Sequence, residues 1–324
     1  MAAKKKVFVC CPGNGGTGGH ELLHQLVDAI NNVSGNAYIL YYPFEYKFDV
    51  PKQYKHYNLK IADFFHDLDN DSIVVLPEVA TRFIPEFSNM TICIWWLSVD
   101  NYFGGIFPHK FIDKVRHVKY VLTKKKKAVR ELGKHVNIVQ SEYAHDFLKK
   151  RNIDSFFISD YLNKTHLNDN YLLTEKENII VYNPKKGFEV TKKLMKNNPG
   201  FEYIPIQNMS PTEVRNLLEK AKIYIDFGTH PGKDRFPREA AMAGCCVITG
   251  LRGSAANNKD VPIPISLKFP DNNVFNDDSF HDLVCNIFDE FDSYYHLFSS
   301  YREYIKKEHD VFLSQVESFI SKYC

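Results

Sequence analysis

The sequence has no C-x-x-C pair, no long apolar run and almost no net charge. Its cysteines are Cys10, Cys11, Cys93, Cys245, Cys246, Cys285 and Cys324. Two adjacent pairs, Cys10-Cys11 and Cys245-Cys246, fall inside apolar strand patterns, so they read as small core residues of a reducing compartment. No apolar run approaches the roughly 20 residues of a membrane helix. Basic Met1 to Lys6 is followed by an apolar run of only about five residues, too short for a signal peptide. The expected location is the cytoplasm. A net charge of +2 carries no global signature of nucleic-acid or polyanion binding. Internal repeats are absent, and the only low-complexity stretch is the four-lysine run Lys124, Lys125, Lys126, Lys127.

What is present is an ordinary globular composition, with 44% hydrophobic and 25% charged residues in 324, enough for one large or two ordinary domains. The 25 Phe and 19 Tyr suit filled cores or sugar-stacking surfaces. Apolar strand patterns recur at Val7–Cys11, Ala37–Tyr42, Ser72–Leu76, Thr91–Leu97, Lys119–Leu122, Val136–Val139 and Ser155–Ser159. Helical patterns separate most of them, including Gly19–Asn31 and Tyr143–Arg151. Such alternation predicts a parallel sheet covered on both faces. Ligands of these sheets bind past the carboxyl ends of the strands. That makes Glu78, Ser98, Asp100 and Asn101 candidates, with Asp100 either a base for an acceptor hydroxyl or a turn cap.

The first strand runs into Pro12-Gly13-Asn14-Gly15-Gly16-Thr17-Gly18-Gly19. Gly13-x-Gly15-x-x-Gly18 fits the dinucleotide fingerprint. The second strand, however, ends in Tyr41-Tyr42-Pro43 instead of the acid that would hold a ribose, which weighs against a dehydrogenase. His20-Glu21-Leu22-Leu23-His24 is formally H-E-x-x-H, two imidazoles on one helix face with a glutamate base, so a zinc peptidase is a competing reading. Val27 stands where the extended motif requires glycine.

Periodicity lapses between Leu162 and Asn178, giving a linker at 162–177. A second alternating unit follows. Strand 179–182 leads to Lys186-Gly187 and a helix to about Lys196. Phe201–Ile206 reads as another strand. Ser210-Pro211-Thr212-Glu213 has the pattern of a capping box with Pro at N1. Ile223–Phe227 is a strand ending in a turn-rich loop, and Pro237 marks a helix closed by Gly244. Lys233, Arg235 and Arg238 cluster where that helix starts, a ready anion site for a phosphate or diphosphate. Glu239 suits the first helical turn or a ligand's hydroxyls. Val261–Leu267, broken by Pro262 and Pro264, can only be an edge strand or extended segment. Asp278–Ile320 is helical in pattern, broken near Asp292-Ser293.

The stretch Glu239-Ala240-Ala241-Met242-Ala243-Gly244-Cys245-Cys246-Val247-Ile248 resembles the donor-binding segment of retaining GT-B glycosyltransferases. Members of that family show a Glu, seven residues, then Glu-Ala-Met-Ala-x-Gly-x-Pro-Val-Val. The first family Glu is missing; Pro231 stands in its place and Asp234 is the nearest acid. HPGKDRFPREAA is similar to a bacterial surface-polysaccharide subgroup. The resemblance implies an α/β chain of two doubly wound Rossmann-like domains facing a cleft. Domain one spans 1–161, domain two spans 178–300, and helix 301–324 crosses back to the first. It implies transfer of a hexosyl group from a nucleotide diphosphate sugar, UDP foremost, with no cofactor and no metal. Lys233, Arg235, Arg238 and Lys186 would then meet the diphosphate. Gly18, Gly19 and His20 would line the cleft, and Glu239, Asp100 and His20 are the catalytic candidates. The acceptor would be a saccharide or a lipid-linked molecule, with membrane contact through the lysine run. A nucleotide-binding relative without turnover is the remaining alternative.

Overall fold

The apolar strand patterns assemble into two parallel sheets, each with its own core. The computed structural model describes residues 5–15, 18–104, 111–123, 125–167, 173–270 and 278–324. The chain divides into one unit of Met1–Asp160 with Asp310–Cys324 and a second of Tyr161–His309. Gly16, Thr17, Lys124 and part of the expected linker lie outside the described residues.

The first unit runs β1 (Val7–Pro12), α1 (Gly18–Val33), β2 (Ala37–Tyr42), β3 (Ile73–Pro77), β4 (Thr91–Trp96), α2 (Val99–Tyr102), α3 (Phe111–Leu122), α4 (Val129–Leu132), β5 (Val136–Val139), α5 (Glu142–Lys149) and β6 (Phe156–Phe157). The sheet order is β2-β1-β3-β4-β5-β6, and every pairing is parallel. Phe8, Val74, Ile94 and Trp96 are fully buried, packed with Leu40, Leu132 and Leu148. This is why β1, β3 and β4 read as near-continuous apolar runs: both faces are covered.

One expected strand is corrected. Lys119–Leu122 is the last turn of α3, and Leu122 is 77% exposed. The apolar residues Val115, Val118 and Leu122 recur with helical spacing, and an interior parallel strand could not leave its leucine in water.

The second unit runs β7 (Glu177–Tyr182), α6 (Phe188–Asn197), β8 (Glu202–Pro205), α7 (Pro211–Lys220), β9 (Ala221–Asp226), α8 (Arg235–Met242), β10 (Cys246–Gly250), β11 (Lys268–Phe269), α9 (Ser279–Asp289), α10 (Phe291–Leu297) and α11 (Ser299–Tyr323). Its order, β11-β10-β9-β7-β8, repeats that of the first five strands of unit one. Ser210 and Glu213 form the reciprocal capping box at α7, with Pro211 at N1. Gly244 closes α8 at φ +83, a value that costs a β-carbon-bearing residue about 1–2 kcal/mol. Residues Ile265–Leu267 form a 3-10 turn, and the edge strand is β11 just beyond. The helical breaks lie at Glu290 and Phe298.

Tyr161 to Lys176 belongs to this unit. Leu162 is buried in its core. The ammonium of Lys176 donates to the carbonyls of Leu218 (3.0 Å), Ala221 (2.9 Å) and Ala243 (2.7 Å). Helix α11 begins in unit two, and its residues from Asp310 onward belong to unit one.

Candidate functional site

In sheets of this order, the succession of strands runs in opposite directions on either side of the first strand. Ligands settle past the carboxyl ends at that switch point. In unit two the switch point lies between β7 and β9. Its loops are Asn183–Gly187 and Phe227–Asp234. Gly187 has φ +62, and a β-carbon there would stand 2.3 Å from the Phe227 carbonyl carbon. Only glycine lets the two loops touch. Gly253, after β10, is equally confined: an added β-carbon would lie 2.0 Å from the His230 oxygen. Ser254 seals that contact, its N–H donating to His230 O (2.8 Å) and its hydroxyl to Gly232 O (2.6 Å).

These loops hold a chain of alternating charges. Asp226, ending β9, accepts from the Gly228 N–H (2.9 Å) and the Tyr224 hydroxyl (3.1 Å). His230 is wholly buried, with Nε2 3.4 Å from Asp226 and Nδ1 3.1 Å from Asp234. Burial alone would lower its pKa, but the two carboxylates outweigh burial and raise it to about 10. Burial would raise Asp234, yet His230 and Lys186 bring it down to about 2. Lys186 donates to both Asp234 oxygens, at 2.7 and 2.8 Å. Of these four groups only Lys186 is substantially reached by solvent.

Asp226, His230 and Asp234 also bring donor atoms within 4.8 Å of one another, so a cation must be considered. The donor set fits one poorly. His230 turns a different ring nitrogen to each carboxylate, and a divalent ion would have to displace both its proton and Lys186.

Lys233 and Arg238 require correction as diphosphate ligands. Both are buried, and both pair with Glu308 of α11 at 2.7 Å. Lys233 also donates to the Tyr304 hydroxyl (3.2 Å), and Arg238 to the carbonyls of Asp234 (3.2 Å) and Lys233 (3.3 Å). In this arrangement these cations tie the start of α8 to α11. Arg235 remains at the surface, its guanidinium on Glu239 at 3.0 Å. Glu239 lies in the second turn of α8, 3.8 Å from His166 Nε2. Glu239, His166, Arg215 and Glu219 line a small pocket beside α7.

In unit one the equivalent edge carries the buried carboxyls Glu78 and Asp100. Gly18 and Gly19 open α1, and the His20 ring packs on Gly15, where a β-carbon would approach within 2.4 Å. His24 contradicts the zinc-peptidase reading. It is wholly buried, stacked on Tyr54, with Nδ1 2.6 Å from His20 O and Nε2 2.7 Å from the Tyr41 hydroxyl. Both ring nitrogens are committed to the core. Asp100 lies in α2, buried, and accepts from the Tyr143 hydroxyl (3.0 Å). The cap of α2 is Ser98, whose hydroxyl accepts from the Asn101 N–H (3.1 Å). Glu78 follows β3 directly, buried, accepting from the Leu97 N–H (3.0 Å); burial pushes its carboxyl up to about 7. Within the lysine run, Lys126 is turned inward, donating to Asn101 O (3.2 Å) and to Tyr102 O, while Lys125 is exposed.

His230 and Lys176 escaped sequence reasoning. The four-residue spacing Asp226–His230–Asp234 is visible in the sequence. Lys176 gives no signal, since its three carbonyl partners come from distant segments.

No protein-family model matches the chain, and no curated protein matches it. Solved structures do. A sucrose-phosphate synthase from Thermosynechococcus elongatus aligns over 98% of this chain and 99% of its own, with TM-score 0.71 and 10% identity. Anabaena HepE, in complex with UDP-glucose, aligns over 98% and 99%, with TM-score 0.64 and 9% identity. WaaG, a glycosyltransferase of lipopolysaccharide biosynthesis, aligns over 98% and 99%, with TM-score 0.57 and 10% identity. The chain has the GT-B fold.

Proposed function

We propose that the chain transfers a hexosyl group from a nucleotide diphosphate sugar, UDP-linked foremost, to the hydroxyl of a saccharide or lipid-linked acceptor. In this reaction the bond from the sugar carbon to the diphosphate oxygen breaks. A bond to the acceptor oxygen forms, and the acceptor's proton is released. Negative charge builds on the departing diphosphate, and the enzyme's task is to stabilise it there.

The observation that carries the reading is Lys186. It is a solvent-reached cation at the switch point of unit two, fixed by a glycine contact that orders its loop. Asp234 holds it at rest. Because His230 also neutralises Asp234, Lys186 can move to a phosphate without leaving a bare buried carboxylate behind. Arg235 is the second cation in reach, and Glu239 beside it would accept from donor hydroxyls. Lys233 and Arg238 support the loop from within. No bound metal is required in this scheme. The fold supports the reading, and HepE holds UDP-glucose in its solved complex. A role in surface polysaccharide or glycolipid synthesis belongs to the same proposal.

The test is binding of UDP by calorimetry, together with thermal shift. Saturation at 100 times the dissociation constant should stabilise the protein by about 2.7 kcal/mol. Lys186→Ala should weaken UDP binding by about ten- to a hundredfold, the range for a hydrogen bond to a charged group. Equal affinity in the variant would overturn the assignment. UDP binding with no donor hydrolysis or transfer would leave a binding protein.

A further inference from the structure

Helix α3 is amphipathic in the wrong sense for a helix that belongs only to a core. At 100° per residue, Val115, Val118 and Leu122 fall within one narrow stripe. They are 50%, 55% and 77% exposed. The opposite face carries the inward contacts. His117 packs on Tyr102 and Phe103, with ring centroids 5.2 and 4.7 Å apart. Lys126 reaches back to cover Tyr120 at 5.8 Å. The helix is thus seated on its polar and aromatic side and turns its aliphatic side to water. Scattered exposed aliphatics are normal, but three on one stripe of one helix mark a docking surface.

Charge identifies the occupant. Residues 111–134 hold nine lysines and arginines against two acids, a net +7 in a chain whose total is +2. Arg116 and Lys119 are exposed on α3 along one edge of the aliphatic stripe, with Lys125 exposed just beyond the helix. An aliphatic stripe bordered by basic residues is the pattern that lies in a bilayer interface. The side chains enter the headgroup boundary and the cations meet anionic lipid. We propose that α3 docks unit one onto an anionic lipid surface, with Val115, Val118 and Leu122 inserted and Arg116, Lys119 and Lys125 on the headgroups. The lysine run contributes less than its sequence suggests, because Lys126 faces inward. This inference stands on α3 alone and holds whether or not the transfer reaction is correct.

The experiment is co-sedimentation of the full chain with vesicles of phosphatidylcholine, with and without phosphatidylglycerol. Binding should require phosphatidylglycerol and fall as salt rises. Arg116→Gln and Lys119→Gln should each weaken it about fivefold, the equivalent of one basic residue near the surface. The double change Val118→Ser with Leu122→Ser should abolish binding while leaving melting temperature and the UDP-induced shift intact. Those last readouts separate failure here from failure of the donor site. Three results would overturn the proposal: no preference for phosphatidylglycerol vesicles, undiminished binding by the double serine variant, or a lipid-free dimer that the double variant dissolves. The last would assign the stripe to a second copy of the chain.

Discussion

Among the described residues each unit buries one histidine completely, His24 and His230, and the two differ in charge. His24 in unit one sits among Tyr41, Tyr54 and a backbone carbonyl. Burial lowers its pKa, so it is neutral. His230 in unit two sits between two carboxylates and is held as an imidazolium. Equal burial leaves one ring neutral and the other cationic. The partner set, not the depth, decides protonation. The fold supplies two similar cradles, and the side chains set them apart.

Removing His230 should break the contrast most severely. His230→Asn leaves Asp226 without its buried counter-charge and Asp234 with only Lys186. Stripping one partner from a buried pair costs about 3–5 kcal/mol. The sign with pH is definite. The folded pKa is raised from 6.5 to about 10, so the stabilisation is complete below the unfolded value and lost as pH rises through 10. Urea unfolding from pH 6 to pH 10 should therefore show the gap between wild type and variant closing on the alkaline side. A constant gap would mean that His230 is neutral.

His24 should give the opposite slope and a smaller effect. Its folded pKa is lowered, so the unfolded state takes up a proton first, and stability erodes as pH falls below the unfolded value of about 6.5. His24→Phe should cost about 1–3 kcal/mol, because the Tyr41 hydroxyl loses its buried partner, and should flatten the acid-side decline. The same variant should retain nucleotide binding. A zinc content that vanished with it would revive the peptidase reading.

The sequence exposed the parts of the fold that depend on neighbours in the chain. β2 and β5 have the boundaries their apolar runs announce, and Ser210 caps α7 through a pattern contained in four residues. The short strand expected at Lys119–Leu122 failed because four residues hold barely one helical turn, too few to separate the two periods. The cation cluster at the start of α8 was legible in the sequence, but the partners of its members were not. Lys233, Arg235 and Arg238 look alike in a string, and only Glu308, some 70 residues later, takes two of them out of reach. Lys186, already a candidate diphosphate ligand by sequence, lies at the switch point of unit two within reach of solvent.

Lys186 sharpens the comparison at its lowest energy. Its ammonium contacts Asp234 near the surface, where such pairs contribute about 0–1 kcal/mol. His230 still neutralises Asp234 from within when the lysine is gone. Lys186→Ala should therefore move the urea midpoint hardly at all, while UDP affinity falls by the ten- to hundredfold given above. That split between stability and binding distinguishes a cation kept for a ligand from one spent on the fold, as Arg238 is. If Lys186→Ala unfolds the unit as readily as His230→Asn, the ammonium belongs to the buried network. The charges at the end of β9 would then be a device for holding three loops together, with the donor's phosphates bound elsewhere.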